Sequence, residues 1–208
     1  MSDEYNSLTK HQTWELVDLP DGKNLVGCKW VFKTKLNSLG EIDRYKARLV
    51  AQGYSQEHGI DFNEVFAPVA RYNSIRSLLA VSNQLNLEVH QMDVVSAFLN
   101  GKLEEEIYMK QPDGFIDEKY PEKVCRLNSS LYGLKQSARC WNLMMDSFLK
   151  SNDYIQSSAD PCVYYKSQII DGEKIFILIG VYVDDTILLM LQCSSLFGSR
   201  KEENQLKI

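Results

Sequence analysis

From Ile175 to Leu191 the chain is almost wholly apolar, yet Tyr182-Val183-Asp184-Asp185 interrupts the run with two adjacent carboxylates. A run of this kind has to be buried, and burying an unpaired carboxylate is costly. Two strands with the aspartates at the bend between them resolve the conflict. A hairpin turn carries both side chains to the edge of a sheet, where they can share a cation. The same pair excludes a membrane-spanning helix, because each charge would be strongly unfavourable inside a bilayer. Taken alone, the four residues also fit an ordinary Asp-Asp turn.

At 208 residues the chain is long enough for one domain with a real core, with or without a small annex. The polar start, Met1 to Thr13, lacks the basic and apolar regions of a secretory leader, so an intracellular protein of cytoplasm or nucleus is expected, neither secreted nor membrane-bound. Five cysteines (Cys28, Cys125, Cys140, Cys162 and Cys193) are scattered without a CxxC pair, which favours reduced thiols over disulfides or zinc. His11, His58 and His90 are equally dispersed. The net charge of −5 argues against a polyanionic partner only if charge is spread evenly. Between Lys23 and Val50, seven cations stand against Glu41 and Asp43. Local fields decide what a face attracts.

Read in order, Trp14 to Leu19 forms a short strand closed by a turn at Pro20-Asp21-Gly22. Cys28 to Leu36 alternates, and so does Ile42 to Val50 after a loop at Asn37-Ser38-Leu39-Gly40. Joined as a hairpin, they present a ladder of cations above an apolar underside, a surface that suits phosphates. Lysines on exposed strands also act simply against aggregation. From Asn73 or Ser74 a helical stripe of Ile75, Leu78, Leu79, Ser82 and Leu85 reads as core. Leu87 to Val94 reads as a strand ending at Asp93, although an Asp there can also be a plain cap. Short strands follow at Ile107-Tyr108-Met109 and Val124 to Leu127. Then the loop Leu131 to Ser137 enters a helix capped near Ser137, with Trp141, Met144, Met145, Phe148 and Leu149 on its apolar stripe. Cys162 to Ile170 and Ile175 to Val183 pair through a turn at Asp171-Gly172.

Asp93 at one strand end and Asp184 with Asp185 at a neighbouring hairpin are the minimum set for two hard divalent cations, which take oxygen ligands. Two such ions can stabilise the attacking and leaving oxygens of an in-line phosphoryl displacement. The motifs around these residues are more specific than their spacing. Trp30-Val31-Phe32-Lys33, Tyr45 to Gly53, Phe66-Ala67-Pro68-Val69, Asp93 to Phe98, Ser130 to Gln136 and Tyr182-Val183-Asp184-Asp185 occur in the order of reverse transcriptases. Over roughly residues 12 to 190 the chain resembles the copia-type retrotransposon polymerase, the RNA-directed DNA polymerase of a Pol polyprotein.

The resemblance implies an α+β fold, a right-hand polymerase with fingers and palm, its antiparallel sheet packed on helices and its thumb missing. It implies a polar N-terminal extension over 1–11, the polymerase domain over 12–190 and a divergent, poorly ordered tail over 191–208. It makes Asp93, Asp184 and Asp185 catalytic, binding two Mg²⁺ ions, or Mn²⁺, with the Val94 carbonyl as a further ligand. Lys46, Arg48, Phe98, Tyr132, Gly133, Lys135, Gln136 and Tyr182 would bind the incoming nucleotide, Phe98 lying under its sugar. Lys33, Lys35 and Arg44 would bind nucleic acid. Expected partners are an RNA or DNA template with its primer, dNTPs and the remainder of a Pol polyprotein, including integrase and RNase H; the oligomeric state stays open. A chain without a thumb would hold a duplex poorly, so an inactive remnant that at most binds nucleic acid is the competing reading.

Overall fold

The computed structural model describes residues 1–170 and 173–190. The expected turn at Asp171-Gly172 and the expected divergent tail over 191–208 lie outside the described residues. In chain order the elements are α1 (Ser2–Lys10), β1 (Trp14–Val17), β2 (Leu25–Val26), β3 (Cys28–Leu36), β4 (Ile42–Ala51), α2 (Tyr72–Gln84), β5 (Glu88–Asp93), β6 (Tyr108–Met109), β7 (Val124–Leu127), α3 (Ser137–Ser151), β8 (Ile155–Gln156), β9 (Val163–Ile170), β10 (Glu173–Tyr182) and β11 (Asp185–Met190). The chain is thus mixed α+β. No helix among the described residues is long and apolar enough to cross a membrane. Two compact units emerge: Met1–Phe66 with Phe98–Trp141, and Ala67–Ala97 with Asn142–Ile208.

In the first unit a four-stranded sheet runs β1-β7-β6-β2, antiparallel except for the β2·β6 pair, and β3 pairs with β4 as a separate two-stranded ribbon. The core gathers Val26, Leu49, Ala51, Ile107, Met109, Cys125 and Leu131. Residues 2–10, which read in sequence as a polar start, form α1 because Leu8, 1% exposed, anchors that helix in the same core. One apolar residue is too weak a periodic signal to be seen beforehand. The ribbon follows the alternation of its sequence, but its distal half stands in solvent. Phe32 is 66% and Tyr45 78% exposed, so the apolar underside covers core only near Trp30 and Leu49.

In the second unit an antiparallel five-stranded sheet runs β5-β11-β10-β9-β8. Leu78 of α2 packs with Leu87 and Leu189 in this unit's core, and Gly180 of β10 gives it room, since a Cβ there would meet Leu78 Cδ1 at 2.8 Å. The expected stripe on α2 holds only in part. Leu78 and Ser82 are buried, whereas Leu79 and Leu85 are exposed. The sheet covers a single narrow seam of that helix, and four apolar residues with Ser82 are more than the seam can hold. α3 buries Trp141, Met145 and Leu149 as their spacing requires. Its start lies where the sequence placed it: Ser137 is the first helical residue, and its hydroxyl donates to the Leu131 carbonyl.

Candidate functional site

The hairpin around Tyr182-Val183-Asp184-Asp185 is present in the second unit. Tyr182 pairs with Asp185, leaving Val183 and Asp184 as the bend between β10 and β11. Val183 takes φ +57°, a left-handed conformation that a β-branched residue adopts only under constraint. The bend is held from outside, because the Val94 N–H donates to the Asp184 carbonyl at 2.9 Å. On its other side β11 pairs with β5, and the register sets Asp185 directly opposite Asp93.

Directly opposed residues of an antiparallel pair share one face, with Cβ atoms about 4.5–5.5 Å apart, and like charges placed there destabilise the sheet. Asp93 is exposed; Asp184 and Asp185 are half-buried. Gln91, two residues before Asp93 and so on the same face, donates from Nε2 to Asp185 Oδ1 at 3.2 Å. Strand parity alone could have flagged this residue. Among the described residues no three Asp, Glu, His or Cys side chains already stand close enough to hold a metal ion. The donor set nevertheless fits a hard divalent cation: carboxylate oxygens from two strands and a turn, with a like-charge pair that a cation would relieve.

The first unit holds the remaining sequence-derived candidates except Tyr182, which is exposed at the end of β10. In the β3·β4 ribbon Lys33 pairs with Lys46 and Lys35 with Arg44, two like-charge rungs on one face. Burial depresses the Lys46 pKa, and the charges of Arg48 and Arg44 add to the effect against the favourable pull of Glu4. Arg48, paired with Val31 on that face, stacks its guanidinium 4.9 Å from the Tyr132 ring centre, and Tyr132 in turn meets Phe98 at 5.0 Å.

Gly133 is where the loop before α3 touches β4. Its φ is +93°, and an added Cβ would lie 2.2 Å from the Ala51 carbonyl oxygen. Alongside, the Ala51 N–H donates to the Tyr132 carbonyl at 2.7 Å. Lys135 lies 4.6 Å from the Phe62 ring centre and donates from Nζ to the Gln56 carbonyl. Gln136 is 1% exposed; its Oε1 accepts from Gln56, and its Nε2 donates to the Asp61 carbonyl and to Glu105. Gln56 and Asp61, both buried, are partners that no periodicity in the sequence singles out. They sit in an irregular loop, and only the three-dimensional crossing of 56–61 with 131–136 brings them in.

Comparison with known proteins adds a family. The family described as reverse transcriptase (RNA-dependent DNA polymerase) matches residues 11–205, which continues past the residue-by-residue resemblance ending near 190. The chain is 50% identical over 189 residues to the Retrovirus-related Pol polyprotein from transposon TNT 1-94 of Nicotiana tabacum, covering 91% of this chain and 14% of that polyprotein. To the Retrovirus-related Pol polyprotein from transposon RE2 of Arabidopsis thaliana it is 40% identical, covering 90% and 13% respectively. Against the Transposon Ty1-NL2 Gag-Pol polyprotein of Saccharomyces cerevisiae the identity is 28%, covering 89% and 10%. The chain therefore spans 14% or less of the length of each of these relatives.

Proposed function

The chain belongs to the reverse transcriptase (RNA-dependent DNA polymerase) family of copia-type Pol polyproteins, and from that membership we propose that it carries the nucleotidyl-transfer site of templated DNA synthesis. The observation that carries the proposal is the opposition of Asp93 and Asp185 beside the constrained Asp184 bend. A stable sheet has no use for that pair without a cation. Asp93, Asp184 and Asp185 would hold Mg²⁺ or Mn²⁺, with the Val94 carbonyl as a further ligand. When bound, the ions would supply charge stabilisation to the attacking and leaving oxygens of phosphoryl transfer.

The chain's own groups prepare that site. Gln91 fixes one Asp185 oxygen, and the Val94 N–H holds the bend in register with the end of β5. In the first unit, the fingers of this reading, Lys46 and Arg48 would neutralise the triphosphate of a dNTP. Phe98 would lie under its sugar; in the second unit, the palm of this reading, Tyr182 would contact nucleotide. Tyr132, Gly133, Lys135 and Gln136 form the supporting loop; Gln136 contributes by holding that loop, since both ends of its amide are engaged internally. Lys33, Lys35 and Arg44 would contact template or primer.

Primer extension on an RNA template, with dNTPs and Mg²⁺ or Mn²⁺, tests the reading. Asp93→Asn, Asp184→Asn and Asp185→Asn are each expected to lower incorporation by at least about a hundredfold. Incorporation that survives all three substitutions would remove the site from consideration. If the wild-type chain incorporates nothing at any enzyme concentration, the family fold is present without the activity.

A further inference from the structure

Among the described residues the β3·β4 ribbon has no third strand, so N–H groups along the outer side of β4 need acceptors from elsewhere. Leu49 and Ala51, two residues apart, both face that side. The Ala51 N–H donates to the Tyr132 carbonyl at 2.7 Å. The Leu49 N–H donates to the carboxylate of Glu4, in the first turn of α1. The residues that supply these two acceptors also act on the neighbouring Arg48 side chain. The Tyr132 ring centre lies 4.9 Å from the Arg48 guanidinium, and the Glu4 carboxylate is within electrostatic reach of Arg48 and, less strongly, of Lys46.

A backbone carbonyl satisfies Ala51, and a neutral side chain would equally satisfy Leu49. Glu4 is half-buried, and burial pushes its carboxyl above the ordinary 4.5 against the Leu49 hydrogen bond and the charges of Arg48 and Lys46. An acid whose pKa rises on folding destabilises the fold in its ionised form. Closing the strand edge therefore does not account for the charge. Nor is α1 free to withdraw it. Leu8 is 1% exposed in the core that also holds Leu49, and Tyr5 stacks on Phe115 with ring centres 4.2 Å apart. The negative charge is a fixed part of the first unit, set beside the segment of β4 that carries Lys46 and Arg48.

We propose that Glu4 is a positioning residue for the triphosphate site: from α1 it holds β4 at Leu49 and, with the Tyr132 ring, fixes the Arg48 guanidinium in the pose that meets a nucleoside triphosphate. This rests on the reading that Lys46 and Arg48 neutralise the triphosphate, and adds to it a residue outside the ribbon that acts only through Arg48. The sign of the effect distinguishes this role from mere proximity. An acid that only lies near cations repels a polyanion, so removing its charge strengthens binding. An acid that orients Arg48 lowers the ordering cost of binding, so removing its charge weakens binding.

The experiment is a thermal-shift titration of the full chain with inorganic tripolyphosphate in EDTA at fixed ionic strength, which needs neither metal nor turnover. Arg48→Gln and Lys46→Gln should each weaken binding. Glu4→Gln, which keeps an acceptor for Leu49, should raise the apparent Kd roughly threefold to tenfold, the scale of one hydrogen bond's net contribution. Without ligand its thermal midpoint should equal or exceed that of wild type, since the charge it loses is the one that burial disfavours. In an Arg48→Gln background Glu4→Gln should weaken binding no further, whereas in a Lys46→Gln background its effect should persist. Asp3→Asn, which removes an exposed acid from the same helix turn, should not weaken binding. Tighter or unchanged binding by Glu4→Gln, with Arg48→Gln still weakened, would overturn the proposal and leave the triphosphate reading standing. Weaker binding accompanied by a lowered midpoint, or equally present in the Arg48→Gln background, would overturn it in favour of a structural cap on β4. If tripolyphosphate fails to bind wild type, or binds Arg48→Gln as well, the triphosphate site itself is absent and the proposal falls with it.

Discussion

Asp160 illustrates how much one side chain can organise. It is 2% exposed, accepts from the Arg71 N–H at the start of α2 through Oδ2, and accepts from the Cys162 N–H before β9 through Oδ1, each at 2.9 Å. Burial pushes its carboxyl up, but hydrogen bonds from Ser74, Arg71 and Cys162 and the Arg71 charge outweigh that and hold it below the ordinary 3.8. A carboxyl depressed in the folded state stabilises fully above its unfolded value, and that contribution is lost as pH falls through the folded one. Asp160→Asn should therefore cost about 1–3 kcal/mol at neutral pH, since its amide would point a donor at an N–H. The gap between variant and wild type in urea unfolding should close below about pH 4. A pH-independent gap would mean the charge is irrelevant. Thr186 is the opposite case. It is 4% exposed, and its hydroxyl finds no hydrogen-bond partner among the described residues. Thr186→Val, nearly the same shape without the orphan group, should be neutral or more stable by up to about 1 kcal/mol. A clear destabilisation would show that the hydroxyl has a partner after all.

Between elements, the closest approach is at Gly133, where the loop before α3 crosses β4. Gly133→Ala has to adopt φ +93° and also displace the Ala51 carbonyl, so a loss of at least about 3 kcal/mol is expected. Gly22→Ala is the control: its φ is +76° with nothing within 4 Å of the added Cβ, and it should cost only about 1 kcal/mol of backbone strain. Equal losses by denaturant titration would mean that the loop can move off β4. This crossing also marks the limit of what the sequence made legible. Strand alternation placed β3 and β4 within a residue of their observed bounds and the bend between Tyr182 and Asp185 at its hairpin, because a period of two survives in any half-buried strand. Apolar spacing overstated α2, since Leu79 and Leu85 have the right period and no sheet beneath them. The start of α3 at Ser137 was legible, but the donation of its hydroxyl back to the Leu131 carbonyl was not. The site divided in the same way. Asp93 and Asp185 were placed at strand ends by pattern, but their register was not, and neither was the burial of Gln136 against Gln56 and Asp61, which depends on two distant loops meeting.

At the scale of the whole molecule, each unit carries a like-charge rung that a chain selected for stability alone would avoid: Lys33 with Lys46 in the first, Asp93 with Asp185 in the second. Each rung should cost roughly 0.2–1 kcal/mol while its counter-charge is absent. Opposite remedies follow from opposite signs. In EDTA at low salt, Asp93→Asn and Lys33→Gln should both raise the thermal midpoint. Added NaCl should shrink both gains in part, because the Debye length falls to about 10 Å at 0.1 M ionic strength and at least one partner of each pair faces solvent. Mg²⁺ at matched ionic strength should separate them. Bound only at the folded carboxylate site, as proposed, it would stabilise wild type by RT ln(1 + [Mg²⁺]/Kd), about 2.7 kcal/mol at a hundredfold excess over Kd. Asp93→Asn should lose that increment and fall below wild type, while Lys33→Gln should keep it in full. An oligonucleotide in EDTA should do the reverse, stabilising wild type and Asp93→Asn but much less Lys33→Gln. If Mg²⁺ shifts wild type and Asp93→Asn equally, the carboxylate rung holds no cation and its repulsion has to be explained without one.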